Sequence, residues 1–252
     1  MINNQIIIND LLINYYSVLP EKKNSGKTII FLHGWGVDSK LWLGLIPKLS
    51  DRNYTLYFLD LPGFGLSQIP GTTYTIDDYK SIVYEFIQKH GLKKVIIVGH
   101  SFGGSIGIKI ASKNPTFLDK LILINAAGIR DSSKKKSLKS IFAKAISPVF
   151  SPVFMQPLRI KFYQLIGSEY LNIPAMSKIF SKVVSEDLSP LLSMIKIPTL
   201  IISGDKDKTT PVDHAKFMHD KIKGSKLVVL SAGHFSFIDQ PEDFVRELKK
   251  FI

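Results

Sequence analysis

The sequence contains no cysteine, which excludes a disulfide framework, a thiolate metal site and a cysteine nucleophile. No apolar run approaches the roughly 20 residues of a membrane-spanning helix, so stable membrane insertion is not expected. The opening stretch Met1–Asp10 lacks a basic region and a small-residue cleavage site, so no secretory leader is expected and the cytoplasm is the expected setting. Arginine is scarce, occurring only at Arg52, Arg130, Arg159 and Arg246. The formal charge of +12 therefore comes from lysines spread along the chain. Nucleic-acid readers rely on arginine for bidentate contacts, and no such module is present, so the charge is read as a lysine-rich compositional bias and no nucleic-acid partner is expected. What the chain does have is 252 residues and 45% hydrophobic content, enough for one domain with a full core.

The most informative stretch runs from Lys93 to Ile108. Val95–Val98 is a β-branched run of strand length, apolar throughout, as suits a strand covered on both faces. It stops at Gly99. Beyond Ser101 the apolar residues Phe102, Ile106 and Ile110 recur at helical spacing. A strand thus turns directly into a helix at Gly99-His100-Ser101-Phe102-Gly103. A serine in so sharp a turn needs small neighbours, because the strand and helix backbones nearly touch. The pattern matches the G-x-S-x-G nucleophile elbow, whose helix N-terminus can also offer N–H groups to a developing oxyanion. A glycine-rich turn in which the serine only caps a helix would fit the pentapeptide alone, so the rest of the chain must decide.

Taken in order, residues 5–8 and 11–17 read as strands around the turn Asn9-Asp10. Residues 28–32 are a buried strand ending at His33-Gly34-Trp35-Gly36, and a helix over 39–49 follows with Ser39 as its N-cap. The strand 54–59 runs into the loop Asp60-Leu61-Pro62-Gly63-Phe64-Gly65. An amphipathic helix is predicted from Thr75 to His90. After the elbow come strands 121–124, 197–203 and 226–230, with helices near 212–221 and 241–251. Alternation of this kind predicts an α/β fold: a mostly parallel central sheet with helices on both faces, and the first hairpin antiparallel at one edge. The interval 128–190 breaks the rhythm, with Pro148, Pro152, Pro157 and Pro174, a basic patch around Lys134, Lys135 and Lys136, and recurrent aromatics. It is read as a helical insertion, leaving 1–127 and 191–252 as the core.

A serine nucleophile needs a base, an orienting acid and oxyanion donors. His234, in Gly233-His234-Phe235, lies just past the last strand and is the expected base. His100 adjoins the serine and should point away from it, and His90, His214 and His219 fall in or beside helices. The acid should follow the strand 197–203, where Gly204-Asp205-Lys206-Asp207 offers two carboxylates. Asp205 is read as a turn former and Asp207 as the acid. The chain order Ser101, Asp207, His234 is the order of this elbow class.

These segments together carry a resemblance. His33–Gly36, Asp60–Gly65, Gly99–Gly104, Gly204–Pro211 and Gly233-His234, in that order, resemble the α/β-hydrolase superfamily over almost the whole chain outside the insertion. The resemblance implies an α/β-hydrolase fold, oxyanion donation by the backbone N–H groups of Trp35 and Phe102, and a helical cap (lid) at 128–190 roofing the pocket. A serine at 101, where haloalkane dehalogenases and epoxide hydrolases carry an aspartate, argues against those chemistries. His33–Trp42 and Asp60–Gly65 further resemble pimeloyl-acyl-carrier protein methyl ester esterases. The expected function is therefore a serine esterase working through an acyl-enzyme on a small-molecule ester, which could be acyl-carrier-linked, with no metal and no cofactor. Phe142, Phe154, Phe162 and Phe235 are expected to line the acyl pocket. Hydrolysis of another acyl bond (C–C, thioester or amide) on the same triad, and a non-catalytic ligand-binding role, are the alternatives.

Overall fold

The protein is described here from a computed structural model, for residues 1–20, 27–49, 53–130 and 173–252. Eight strands form one sheet: β1 (Ile2–Ile8), β2 (Leu11–Val18), β3 (Lys27–Leu32), β4 (Tyr54–Leu59), β5 (Val95–His100), β6 (Leu118–Ile124), β7 (Thr199–Gly204) and β8 (Lys226–Leu230). Their order is β1-β2-β4-β3-β5-β6-β7-β8. The β1–β2 and β2–β4 pairs are antiparallel, and every other pair is parallel. The edge hairpin turns through Asn9 and Asp10, both at positive φ (48° and 60°), the conformation a two-residue type I′ turn requires.

Why the central strands read as unbroken apolar runs is plain from their two faces. Val95 and Ile97 of β5 pack into one core layer, whereas Ile96 and Val98 pack into the other. The first layer is closed by α1 (Ile76–Lys89), α2 (Phe102–Ala111), α3 (Pro174–Ser185) and α4 (Val212–Lys221). The second is closed by a helical segment over Ser39–Leu49, the short α5 (Ser236–Asp239) and α6 (Pro241–Phe251). Helix α1 is entered through a reciprocal capping box, in which the Thr75 hydroxyl accepts from the Asp78 amide and the Asp78 carboxylate accepts from the Thr75 amide. Gly91, at φ 59°, ends it.

The segment Ser39–Leu49 departs from expectation. It is a 3₁₀ helix with Pro47 inside it; proline has no N–H and cannot sustain an i→i−4 ladder. Nor is Ser39 its cap. The Asp38 carboxylate accepts from the Lys40 amide at 2.8 Å, while the Ser39 amide donates to Asp60 at 2.8 Å.

Of the interval 128–190, residues 131–172 lie outside the described residues, and with them Phe142, Phe154, Phe162 and the basic patch at Lys134–Lys136. The two described ends meet. Leu188 N–H donates to Gly128 C=O at 2.8 Å, and the Arg130 side chain to Glu186 C=O at 3.3 Å. Lys109 of α2, only 11% exposed, bridges Asp77 of α1 and Glu186 at 2.5 Å each. Helix α3 lays Met176 against Gly63 and Phe180 against Trp35, whose rings lie 5.1 Å apart. Among the described residues no strand interrupts the path from β6 to β7.

The sheet and α2 meet without room for side chains. A Cβ on Gly99 would fall on the Gly103 carbonyl, and one on Gly103 would fall on the Leu32 carbonyl. Backbone cannot yield as a side-chain end can, so Gly103→Ala should lower stability by at least the 1–3 kcal/mol typical of overpacking. Urea denaturation measures this; a loss under about 0.5 kcal/mol would show that the strand–helix contact is looser than described.

Candidate functional site

Strand order reverses between β3 and β5, because β4 lies on the far side of β3 and β6 on the far side of β5. In such sheets the crevice beyond the carboxyl ends of the two diverging strands is where ligands bind. His33–Trp35 leaves β3 at that point and Ser101 leaves β5 there. The neighbouring strand ends carry Asn125 after β6, the 205–210 loop after β7 and the 231–235 loop after β8.

Ser101 sits between strand and helix at φ 50°, ψ −110°, a backbone conformation rarely adopted by residues with a side chain. Its amide donates to Ile124 C=O, and its carbonyl accepts from Ser105 and Ala127. The turn is therefore over-determined by the two strands and the helix around it, while the side chain makes no cap bond to α2. The absence of that bond removes the helix-cap reading of this serine.

The loop after β3 is fixed by a buried histidine. His33 Nε2 accepts from the Leu61 amide at 2.9 Å, so its Nδ1 carries the proton and donates to Gly34 C=O at 2.7 Å. Burial pushes the His33 pKa down against the pull of nearby Asp60, and the ring is neutral. The His33 carbonyl in turn accepts from the Gly103 amide at 3.1 Å, tying this loop to the start of α2. Asp60 completes the frame, accepting from Asn14, Ser39 and Leu66 at 2.8–3.0 Å. Neither the Trp35 amide nor the Phe102 amide donates to a protein group among the described residues. The Trp35 ring lies edge-on to Phe64 (4.9 Å) and Phe102 (5.6 Å).

Asp207 and His234 are brought together: His234 Nδ1 lies 2.8 Å from Asp207 Oδ2, and the carboxylate is fully buried. Burial opposes its charge, yet the His234 bond and charge, with the hydroxyl and amide of Thr210, outweigh that and hold Asp207 well below the usual carboxylate range. Oδ1 accepts from the Thr209 and Thr210 amides at 2.7 and 3.0 Å. Oδ2 is also 2.7 Å from both the Thr210 hydroxyl and the Asn125 amide nitrogen. Asp205 does something different, accepting from the Ala232 amide at 3.1 Å to pin the end of β8.

Asn125 is the residue that sequence reasoning passed over. Its amide reaches Asp207 and Gly233 C=O (3.3 Å), its side-chain oxygen accepts from Ser236 at 2.7 Å, and its carbonyl lies 2.9 Å from the Thr210 hydroxyl. One buried side chain thus joins the acid loop, the histidine loop and α5. The only signal was a polar residue directly after the apolar run of β6.

His100, expected to point away from Ser101, is buried in the second core layer among Trp42, Phe235 and Phe237, with its ring 4.8 Å from that of His234. Its Nε2 lies 2.9 Å from the His234 carbonyl. Ser101 is next to it in the chain, but no hydrogen bond joins the Ser101 hydroxyl to His234 among the described residues; such bonds are often long before substrate binds. The ring of Phe235, expected at the acyl pocket, lies tilted against His100 at 5.1 Å and edge-on to His234 at 5.5 Å. No helix among the described residues is long and apolar enough to cross a membrane, and no group of three or more His, Asp or Glu there is placed to hold a metal ion.

Comparison with known proteins agrees with this architecture. A family model described as "alpha/beta hydrolase fold" matches residues 27–163. The AB hydrolase superfamily protein YisY of Bacillus subtilis is 29% identical, covering 90% of this chain and 92% of that protein. Pimeloyl-acyl-carrier protein methyl ester esterase of Aeromonas hydrophila is 25% identical, covering 94% and 99%. Among solved structures, a hydrolase from Pseudomonas aeruginosa PA01 superposes with a TM-score of 0.83 at 22% identity, covering 99% of this chain and 97% of that one.

The ionised Asp207 gives an acid signature. A carboxylate whose folded pKa is lowered stabilises the fold fully above its ordinary value of about 3.9, and that contribution is lost as pH falls toward the lower folded value. The urea midpoint of the wild type should therefore drop more steeply below pH 4 than that of Asp207→Asn. Parallel acid limbs would contradict the assignment.

Proposed function

The chain belongs to the α/β-hydrolase fold family, and we propose that it is a serine hydrolase of small-molecule carboxylic esters, with Ser101, His234 and Asp207 as its triad. The observation that carries the proposal is the buried, ionised Asp207 bonded to His234 Nδ1, on loops that follow strands of the same sheet whose β5 ends in the Ser101 elbow. With Nδ1 committed to Asp207, Nε2 is the nitrogen left for proton transfer.

In this reading Ser101 Oγ attacks the ester carbonyl carbon while its proton passes to His234 Nε2. The carbonyl oxygen takes up negative charge between the unengaged amides of Trp35 and Phe102, the role of an oxyanion hole. Collapse of the tetrahedral adduct breaks the bond to the alcohol, which leaves with the proton from His234. Water then attacks the acyl-enzyme, giving its proton to His234, and the acid is released with Ser101 restored. Asp207 stays ionised throughout, holding the imidazole tautomer and stabilising the imidazolium. The segment 128–190 acts as the cap: its described helix α3 covers Trp35 and Gly63 from above. The relative named an esterase supports the ester as the bond cleaved, and the reading extends to acyl-carrier-linked esters.

Labelling with a fluorophosphonate and turnover of p-nitrophenyl esters of graded chain length test this directly. The wild type should be labelled at Ser101, and Ser101→Ala should lose labelling and about 10⁶-fold in kcat while remaining folded. Asp207→Asn should lose up to about 10⁴-fold, Asp205→Asn only a few-fold. Turnover of amides but not esters would move the reading to another acyl bond. A wild type that is neither labelled nor active would leave a ligand-binding role in its place.

A further inference from the structure

The loop carrying His234 has several anchors, but they hold its neighbours. Lys206 donates to Ala232 C=O, Gly233 N–H donates to Asp239, and Asn125 reaches Gly233 C=O. Among the described residues the backbone of His234 itself makes one hydrogen bond, and it is to His100 Nε2 at 2.9 Å. A carbonyl only accepts, so Nε2 carries the proton and Nδ1 is bare. Nδ1 has no partner among the described residues. It faces the loop after β3 so closely that a Cβ on Gly34 would lie 2.9 Å from it. One ring therefore stands between the Gly34–Trp35 turn and the His234 imidazole.

We propose that His100 is a positioning residue for His234: its Nε2–H holds the His234 carbonyl, and its ring, packed 4.8 Å from the His234 imidazole, sets where that imidazole stands relative to Ser101 and the Trp35 turn. The proposal rests on the triad reading above. Three features suit this side chain to the task. It is rigid, being walled by Trp42, Phe235 and Phe237 and attached one residue before the nucleophile, at the end of β5. It offers a donor in a place where the neighbouring rings offer none toward this carbonyl. It also remains neutral, because burial first and the His234 charge second push its pKa down to about 3. A neutral neighbour lets His234 take a proton without a second positive ring beside it. A shift of about 1 Å in a catalytic group can cost on the order of 10²-fold in rate, so the hydrogen bond acts on the chemical step more than on substrate binding.

The test compares His100→Phe, which keeps an apolar ring and loses the donor, with His100→Gln, whose amide can donate along the same direction. Activity is read with a p-nitrophenyl ester and labelling with a fluorophosphonate. The far-downfield proton resonance of His234 Nδ1–H, bonded to Asp207, is read by NMR. In His100→Phe, kcat and the labelling rate at Ser101 should each fall about 10- to 100-fold with KM within about threefold, and the resonance should move or broaden. His100→Gln should keep kcat within about fivefold and retain the resonance. Should His100→Phe fail to fold, as judged by near-UV circular dichroism, His100→Met replaces it under the same criteria. A donor-less variant with wild-type kcat and an unmoved resonance would overturn the proposal, as would His100→Gln being as impaired as His100→Phe. A wild type that neither turns over esters nor reacts with the probe would instead count against the triad reading, and the resonance would still report whether His100 holds His234.

Discussion

Everything at the site depends on the contact between the end of β5 and the first turn of α2. Gly99 and Gly103 let the two backbones approach to a distance at which no Cβ fits, and the chain can make that approach only by forcing Ser101 to φ 50°. Conformations of this kind cost of order 1–3 kcal/mol and persist where the surroundings over-determine them. Here the surroundings are the β5 register with β3 and β6 and the bonds from Ser101 to Ile124, Ser105 and Ala127. The same geometry leaves the Phe102 amide at the helix start without a protein acceptor among the described residues.

Around that contact the protein sorts its ionisable groups by environment. His33 and His100 are both buried and both neutral, and each uses one N–H to hold a backbone carbonyl. Asp207, buried equally deeply, is ionised because it is met by donors from Thr209, Thr210, Asn125 and His234. Burial alone favours the uncharged form in all three cases; the donors present decide which one keeps a charge. Two histidines thus serve as scaffolding and one is left half-buried at the crevice.

Much of this was legible in the sequence, because the elements in question are specified locally. The strand-to-helix switch at Ser101, the helix that begins at Thr75, the turn at Asn9-Asp10 and the placement of Asp207 and His234 after strands all follow from periodicity and turn chemistry. What was not legible depends on contacts distant in the chain. The role of Asn125 rests on partners 82 to 111 residues away, and no local pattern encodes that. Ser39 has the composition of a cap, but the Asp60 carboxylate, 21 residues on, engages its amide and leaves capping to Asp38. His100 was expected to turn from Ser101; its ring packs among Trp42, Phe235 and Phe237, and its bond to a carbonyl 134 residues away could not be read from its position.

The central claim is that a covalent ester forms on Ser101 and that His234 moves the proton in forming and breaking it. Intact mass spectrometry of the protein quenched during turnover of a p-nitrophenyl ester measures this most directly. The account predicts a mass increase equal to one acyl group, located by peptide mapping at Ser101 and absent from Ser101→Ala. Turnover without such an adduct, together with undiminished activity in Ser101→Ala, would contradict it.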